Sequence, residues 1–370
     1  MVVQRHKSPY VHSLDWVRAL TILSVVAVHA IRFGLVPVYP KSGSLIQLLF
    51  QFGRVSFMIV TGFIIAYQYH DRRPQWSTFF QRRAKSSLVP YLIWLAVFLS
   101  FSVPVWPAAA FLRHFGRVLL TGNGHLYYLI ITFQMYLLAP GLVFILRRAE
   151  KYIAWFGAVA IAWELFSWTM AGYGHQGGWA PSLWVSTYVG YFVLGGVIGF
   201  SWNNVRLWLN AHRAIVALGF PALWMGLTAT FFGDLQWFGG LSVATSMFQP
   251  ISALYCVALT MTLMASGAWF EEVRCQWKGL GSTIGIVADA SFGIYLIHPI
   301  FVHGWLNVVG VLGWRLNPVV NTAIAFIAGA GFSIAGVLLI RYLPFSEYII
   351  GTKRRQRKTS AKSSPISVTL

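Results

Sequence analysis

Ten stretches of about 20 predominantly apolar residues follow one another along the chain, and nothing else in the sequence restricts the fold as strongly. They fall at 14–36, 45–69, 86–107, 125–146, 152–171, 184–200, 213–233, 247–268, 288–308 and 317–343. A run of about 20 residues at 1.5 Å each crosses a hydrocarbon core of about 30 Å. In lipid, a helix is the one single-segment structure that satisfies its own backbone. Only 10% of the residues are charged and 57% are hydrophobic, too little polar surface to cover a water-facing globule. The expectation is therefore an all-α membrane protein, a single bundle of about ten transmembrane helices. Residues 1–13 form a basic cytoplasmic N-terminus, 14–343 the membrane domain and 344–370 a basic, disordered cytoplasmic tail.

The net charge of +19 would suggest nucleic acid in a soluble protein, but here it reports orientation. With the N-terminus inside, and with Arg32 and Arg213 at the span edges counted with the adjoining segments, twenty Lys and Arg residues fall in inside segments and five outside, the other three being Arg18, Arg54 and Arg341 within spans. That bias predicts both termini inside and a multi-pass inner or plasma membrane protein. Basic and aromatic residues do not interleave as a nucleic-acid groove requires, so no nucleic-acid partner is expected. The first span lacks a small-x-small cleavage site and is expected to be retained. Cys256 and Cys275 suggest neither a disulfide framework nor a metal site.

Ionisable groups inside spans are costly and often mark a substrate or proton path. LDWVRALTILSVVAVHA (14–30) carries Arg18 and His29 separated by ten uncharged residues. Eleven steps of about 100° return both side chains to one face, about 16 Å apart along the axis. Asp15 is spaced to pair with Arg18. The spacing fits equally an interfacial arginine and a histidine satisfied by a neighbouring helix. In RVSFMIVTGFIIAYQY (54–69), Arg54 faces the outer half, and Thr61-Gly62 suggests close helix packing. The loop from Asp71 to Lys85 holds Arg72, Arg73, Arg82, Arg83 and Lys85, a cluster suited to the phosphates of coenzyme A or to simple inner-face anchoring. Further polar positions are His125 near the outer interface, Glu164 deep in the fifth span, and Tyr295 and His298 in SFGIYLIHPIF (291–301).

These blocks resemble the acyltransferase-3 family of integral membrane acyltransferases. LDWVRALTILSVVAVHA is similar to its first-helix pattern, RVSFMIVTGFII to its second-helix block, and FFQRRAKSSLVPYLIW (79–94), HLYYLIITFQMYLLAP (125–140) and SFGIYLIHPIF to later blocks in order. The likeness covers residues 12–343. It implies a cytoplasmic acyl-CoA donor, an acceptor often reached from the outer side, and essential roles for Arg18 and His29. Aligned on Pro90, Arg83 matches the first arginine of the family's inner-loop Arg-x-x-Arg pair, but Ser86 replaces the second, with Lys85 alongside. The basic tail stands where some members carry an extracytoplasmic esterase-like domain.

On that resemblance His29 is expected to act as general base or transient acyl carrier. Arg18 would anchor donor phosphate or stabilise the oxyanion. The 72–85 cations would hold coenzyme A, while His125, Tyr295 and His298 would line the cavity or orient His29. No bound cofactor or metal is expected, acyl-CoA being the donor substrate. The partners would be the bilayer and a carbohydrate or lipid-linked acceptor, with acetylation of an envelope polysaccharide or glycolipid the leading reading. The rival classes are a transporter or flippase of a polysaccharide or lipid-linked sugar, and a non-catalytic scaffold.

Overall fold

The computed structural model describes residues 10–173 and 183–352, and among them every regular element is a helix. In chain order these are α1 (Ser13–Gly34), α2 (Pro40–Phe50), α3 (Phe52–Tyr69), α4 (Trp76–Arg83), α5 (Val89–Ser100), α6 (Ala108–Val118), α7 (Tyr127–Arg148) and α8 (Ile153–Tyr173). There follow α9 (Val189–Phe200), α10 (Trp202–Ala211), α11 (Arg213–Trp237), α12 (Leu241–Ala244), α13 (Pro250–Val273), α14 (Lys278–Val311), α15 (Pro318–Ile340) and α16 (Ser346–Ile350). The protein is an all-α, multi-pass membrane protein.

Among the described residues, eight helices are long and apolar enough to cross a bilayer, the second being α2 and α3 together. The expected spans 86–107 and 184–200 contain shorter helices, α5 and α9, of 12 residues each. Pro104 and Pro107, which have no N–H to donate, lie just beyond the end of α5. A π-helical turn, Ala84–Leu88, joins α4 to α5 without a break. At 1.5 Å per residue α5 and α9 are each about 18 Å long, shorter than a hydrocarbon core of about 30 Å. The chain leaves α3 at Tyr69 and must return to place His125 beside His29. It does so along α5, whose Phe98 packs on His125 with ring centroids 4.9 Å apart. Tyr188, just before α9, bonds Arg54, and the helix ends with Phe200, whose ring lies 4.3 Å from that of His70.

The α3–α9 pair is held in backbone contact. A Cβ on Gly62 would stand 2.0 Å from the Phe192 carbonyl oxygen, and one on Gly195 2.0 Å from that of Ile59. This is the small-residue packing of helices in lipid, where van der Waals fit replaces the hydrophobic drive. Thr61, beside Gly62, turns its hydroxyl back to the Phe57 carbonyl at 2.7 Å.

Two expectations are corrected. Asp15 does not pair with Arg18. Its carboxylate accepts a 2.6 Å bond from the Tyr10 hydroxyl and lies 3.3 Å from His12 Nδ1, so residues just before α1 take it instead. Burial and the neighbouring Asp15 charge push the Tyr10 hydroxyl's pKa well up, keeping it a donor. Nor does the segment expected as a disordered tail begin unstructured at 344. Residues 346–350 form α16, with Ser346 and Ile350 fully buried, and the Ile349 carbonyl accepts from the Trp94 indole at 2.8 Å. The two isoleucines that end the segment, Ile349 and Ile350, give it an apolar side to set against α5. The basic stretch from Lys353 lies outside the described residues.

Candidate functional site

Three histidines from three distant parts of the chain meet inside the bundle. The His29 ring centroid is 4.9 Å from that of His298 and 6.0 Å from that of His125, and His125 and His298 are 5.3 Å apart. Helix α1 supplies His29 and α14 supplies His298. His125 comes from the one-turn 3₁₀ helix Gly124–Leu126 that opens α7. The two long helices run in the same direction here, because Arg18 meets Ser291 (3.1 Å) near one end while His29 meets His298 and Phe33 meets His303 (centroids 4.2 Å) toward the other.

Local sequence explains the pose of His298. Pro299 has no N–H, so the Tyr295 carbonyl four residues earlier loses its helical donor. His298 Nδ1 lies 2.9 Å from that carbonyl and 3.1 Å from the Ile294 carbonyl. Both oxygens only accept, so Nδ1 carries the proton and Nε2 is left with its lone pair. The same Tyr295 sends its hydroxyl to the backbone carbonyl of His125 and fixes the third ring. His298 Nε2, His125 Nε2 and His29 Nδ1 are buried without a hydrogen-bond partner in the structure. Such orphaned polar atoms cost stability, and a functional role is one reason for a fold to keep them. The three imidazoles do not converge as a metal site, and the described residues contain no His, Cys, Asp or Glu group that could hold one.

The cluster borders a cavity of about 910 Å³, near the top of the range of about 300–1,000 Å³ for small-ligand sites. His29, His125, Tyr295 and His303 line it, as do Arg32 and Arg54. Arg54 donates from Nη1 to the hydroxyls of Tyr127 and Tyr188, and its guanidinium lies 5.7 Å from each ring centroid. Gln47, Gln51, Asn123 and Thr245 add amides and a hydroxyl to the wall.

The structure thus gathers four of the sequence-predicted residues, His29, His125, Tyr295 and His298. It sets the others apart. Arg18 is bonded to Ser291, toward the opposite end of α1, and is absent from the cavity wall. Of the loop cations, Arg73, Arg82 and Lys85 are exposed, while Arg83 stacks over Tyr136 (4.8 Å) and Phe79 (5.4 Å). Arg72 is half-buried and its carbonyl accepts from Arg147. None of the five lines the cavity. Glu164 is also remote from it: Oε1 accepts the Tyr191 N–H at 3.2 Å between α8 and α9. Sequence reasoning gave no role to His303, Arg32 or Arg54. For Arg54 the signal was present, a cation inside an apolar span, the same rule that singled out Arg18.

Comparison with known proteins gives the family. Residues 11–342 match the acyltransferase-3 family profile, described as "Acyltransferase domain". A Bacillus subtilis (strain 168) protein named "Putative membrane-bound acyltransferase YfiQ" is 23% identical over 304 residues, covering 77% of this chain and 79% of that one. A Staphylococcus aureus (strain Mu50 / ATCC 700699) protein named "Probable poly-beta-1,6-N-acetyl-D-glucosamine export protein" is 22% identical over 321 residues, covering 81% and 82%. No solved structure matches the chain. With the match spanning every helix that builds the histidine cavity, the chain belongs to the acyltransferase-3 family of membrane acyltransferases.

Proposed function

We propose that this protein moves an acyl group, acetyl in the leading reading, from acyl-CoA to a hydroxyl of a cell-surface carbohydrate or glycolipid, in the inner or plasma membrane. The observation that carries the reading is the His29–His125–His298 cluster beside a cavity large enough for a sugar. A hydroxyl attacks a thioester only as its proton leaves, and imidazole is the usual base near neutral pH. His29 takes the acceptor proton, the oxygen bonds to the thioester carbonyl carbon, the carbon–sulfur bond breaks, and the proton passes to the departing thiolate. His298, its Nδ1 committed to two carbonyls, orients His29. Arg18 and the loop cations at 72–85, at the end of the bundle away from the cavity, hold the donor's phosphates.

The test is acyl transfer by cells carrying the wild type or His29→Ala, read by mass spectrometry of surface glycans and lipids after labelling the acetyl pool. The expected result is a mark lost in the variant at equal membrane abundance. A mark of equal strength in both removes His29 from the mechanism. One observation favours a second reading, export of a glycan: the name of the S. aureus relative. Release of coenzyme A thiol by membranes only when acceptor is added separates the two, since an exporter releases none.

A further inference from the structure

The cavity has a charge imbalance that acyl transfer to a neutral sugar does not need. The chain has nine acidic residues, all within the described segments, and none lines the cavity. Two arginines do. Arg32 is exposed, with its guanidinium 5.9 Å from the Phe33 ring centroid. Arg54 is half-buried two residues into the α3 leg, where a cation without a counter-ion is expensive.

The partners of Arg54 are two neutral phenols, and both bonds leave from Nη1. The rings of Tyr127 and Tyr188 hold the guanidinium without neutralising it. Among the described residues Nε and Nη2 have no hydrogen-bond partner. They form the side-on edge that receives a carboxylate or phosphate through two parallel bonds. The neighbouring wall is polar but uncharged: Gln47, Gln51, Asn123 and Thr245 offer the mixed donors and acceptors that sugar hydroxyls require.

The geometry points to Arg54 as a specificity-determining anion anchor: it binds a carboxylate or phosphate carried by the acceptor, which makes the acceptor an acidic saccharide. This rests on the reading that the cavity is the acceptor site. A charge on the acyl group itself would also suit an arginine. The sugar-sized volume and the uncharged polar wall beside Arg54 favour the acceptor as its carrier.

The test uses the full-length protein in nanodiscs and a matched pair of probes, methyl glucuronide and methyl glucoside, with free succinate as a third. Binding is read by tryptophan fluorescence and by the shift in unfolding temperature. The wild type should bind the glucuronide at least about tenfold more tightly than the glucoside. The preference should vanish in Arg54→Gln and survive in part in Arg54→Lys, which keeps the charge and loses the fork. Tyr188→Phe, which removes one anchoring hydroxyl, should reduce the preference without abolishing it. A ratio near one in the wild type overturns the proposal, as does an undiminished ratio in a folded Arg54→Gln. Succinate binding as tightly as the glucuronide also overturns it, because Arg54 would then read a small carboxylate of the acyl group. None of these measurements needs turnover. A protein that discriminates the probes but releases no thiol from acetyl-CoA would retain the anion site and lose the acyl-transfer reading.

Discussion

Gly62→Ala should damage the protein more than its single added carbon suggests. The new Cβ would lie 2.0 Å from the Phe192 carbonyl oxygen and 2.9 Å from the Gly196 nitrogen, whereas ordinary contact begins at 3.4 Å. Both neighbours are backbone, so no rotamer change relieves the clash. Restoring contact with the Phe192 oxygen requires α3 and α9 to part by roughly 1.4 Å along that line, and Gly195 on α9 sits as tightly against Ile59 on α3. Overpacking of this kind costs about 1–3 kcal/mol. The displacement also reaches the site, because the same two legs bring Tyr188 to Arg54 at 3.3 Å, a bond with no slack. The control is Gly141→Ala, a helical position in α7 where an added Cβ meets nothing within 4 Å. There alanine restricts the unfolded chain and should be neutral or stabilising by about 0.4–1 kcal/mol. Detergent-driven unfolding of the two variants, followed by tryptophan fluorescence, gives the comparison. Unfolding free energies within about 0.5 kcal/mol of each other would refute backbone contact between α3 and α9 as the source of rigidity.

Three further outcomes are expected. His298→Ala should lower acyl transfer by about 10–100-fold with expression intact, read as a fall in kcat with little change in KM, because it removes the group that orients His29. Arg147→Ala should expose the segment after α3 to limited proteolysis near residues 70–75. Its guanidinium serves the carbonyls of Tyr69, His70 and Arg72, and charged hydrogen bonds contribute about 1.5–3 kcal/mol. Unchanged cleavage would rule out that anchoring. Arg83→Lys keeps the charge but weakens stacking on Tyr136 and Phe79, so the unfolding free energy, read from the same detergent titration, should fall by about 0.5–1 kcal/mol.

What the sequence revealed follows from what lipid demands locally. Hydropathy marks segments long enough to cross, so the cores of α1, α7, α8, α11, α13, α14 and α15 all lie inside the expected spans. It does not see where a helix stops once it leaves lipid. Helix α14 begins ten residues before the expected 288, through KGLGSTIGIV, a stretch with one charge that still winds as helix. The expected single span 45–69 is divided at Gln51, and the amphipathic α6, which buries no residue fully, was not anticipated. The histidines were legible because each is a polar group where water is scarce. Their meeting was not, since His125 and His298 are brought together by Tyr295 bonding across 170 positions. The Asp15–Arg18 pairing failed for the same reason: helical spacing permits it, but Tyr10 and Ser291 offer better-placed partners.

The separation of Arg18 from His29 bears on how a reaction could be arranged. Both lie on α1, about 16 Å apart, and both are held by α14, which runs alongside in the same direction. Two parallel helices in contact over this length act as one rigid wall, so the distance is set by the fold and does not close by side-chain motion. If the donor's phosphates are held near Arg18 while the hydroxyl is activated at His29, the donor must extend along that wall or the acyl group must move in two stages. Arg54 favours the first arrangement. It places an anion anchor on the wall of the cavity that His29 also lines, away from Arg18. Cations at the two places would hold an extended donor and a charged acceptor apart. On this view, substituting Arg18 raises KM for the donor alone and substituting Arg54 raises KM for the acceptor alone. Steady-state kinetics with each substrate varied in turn would reveal that division, and a variant at either position that raised both would argue against a two-ended site.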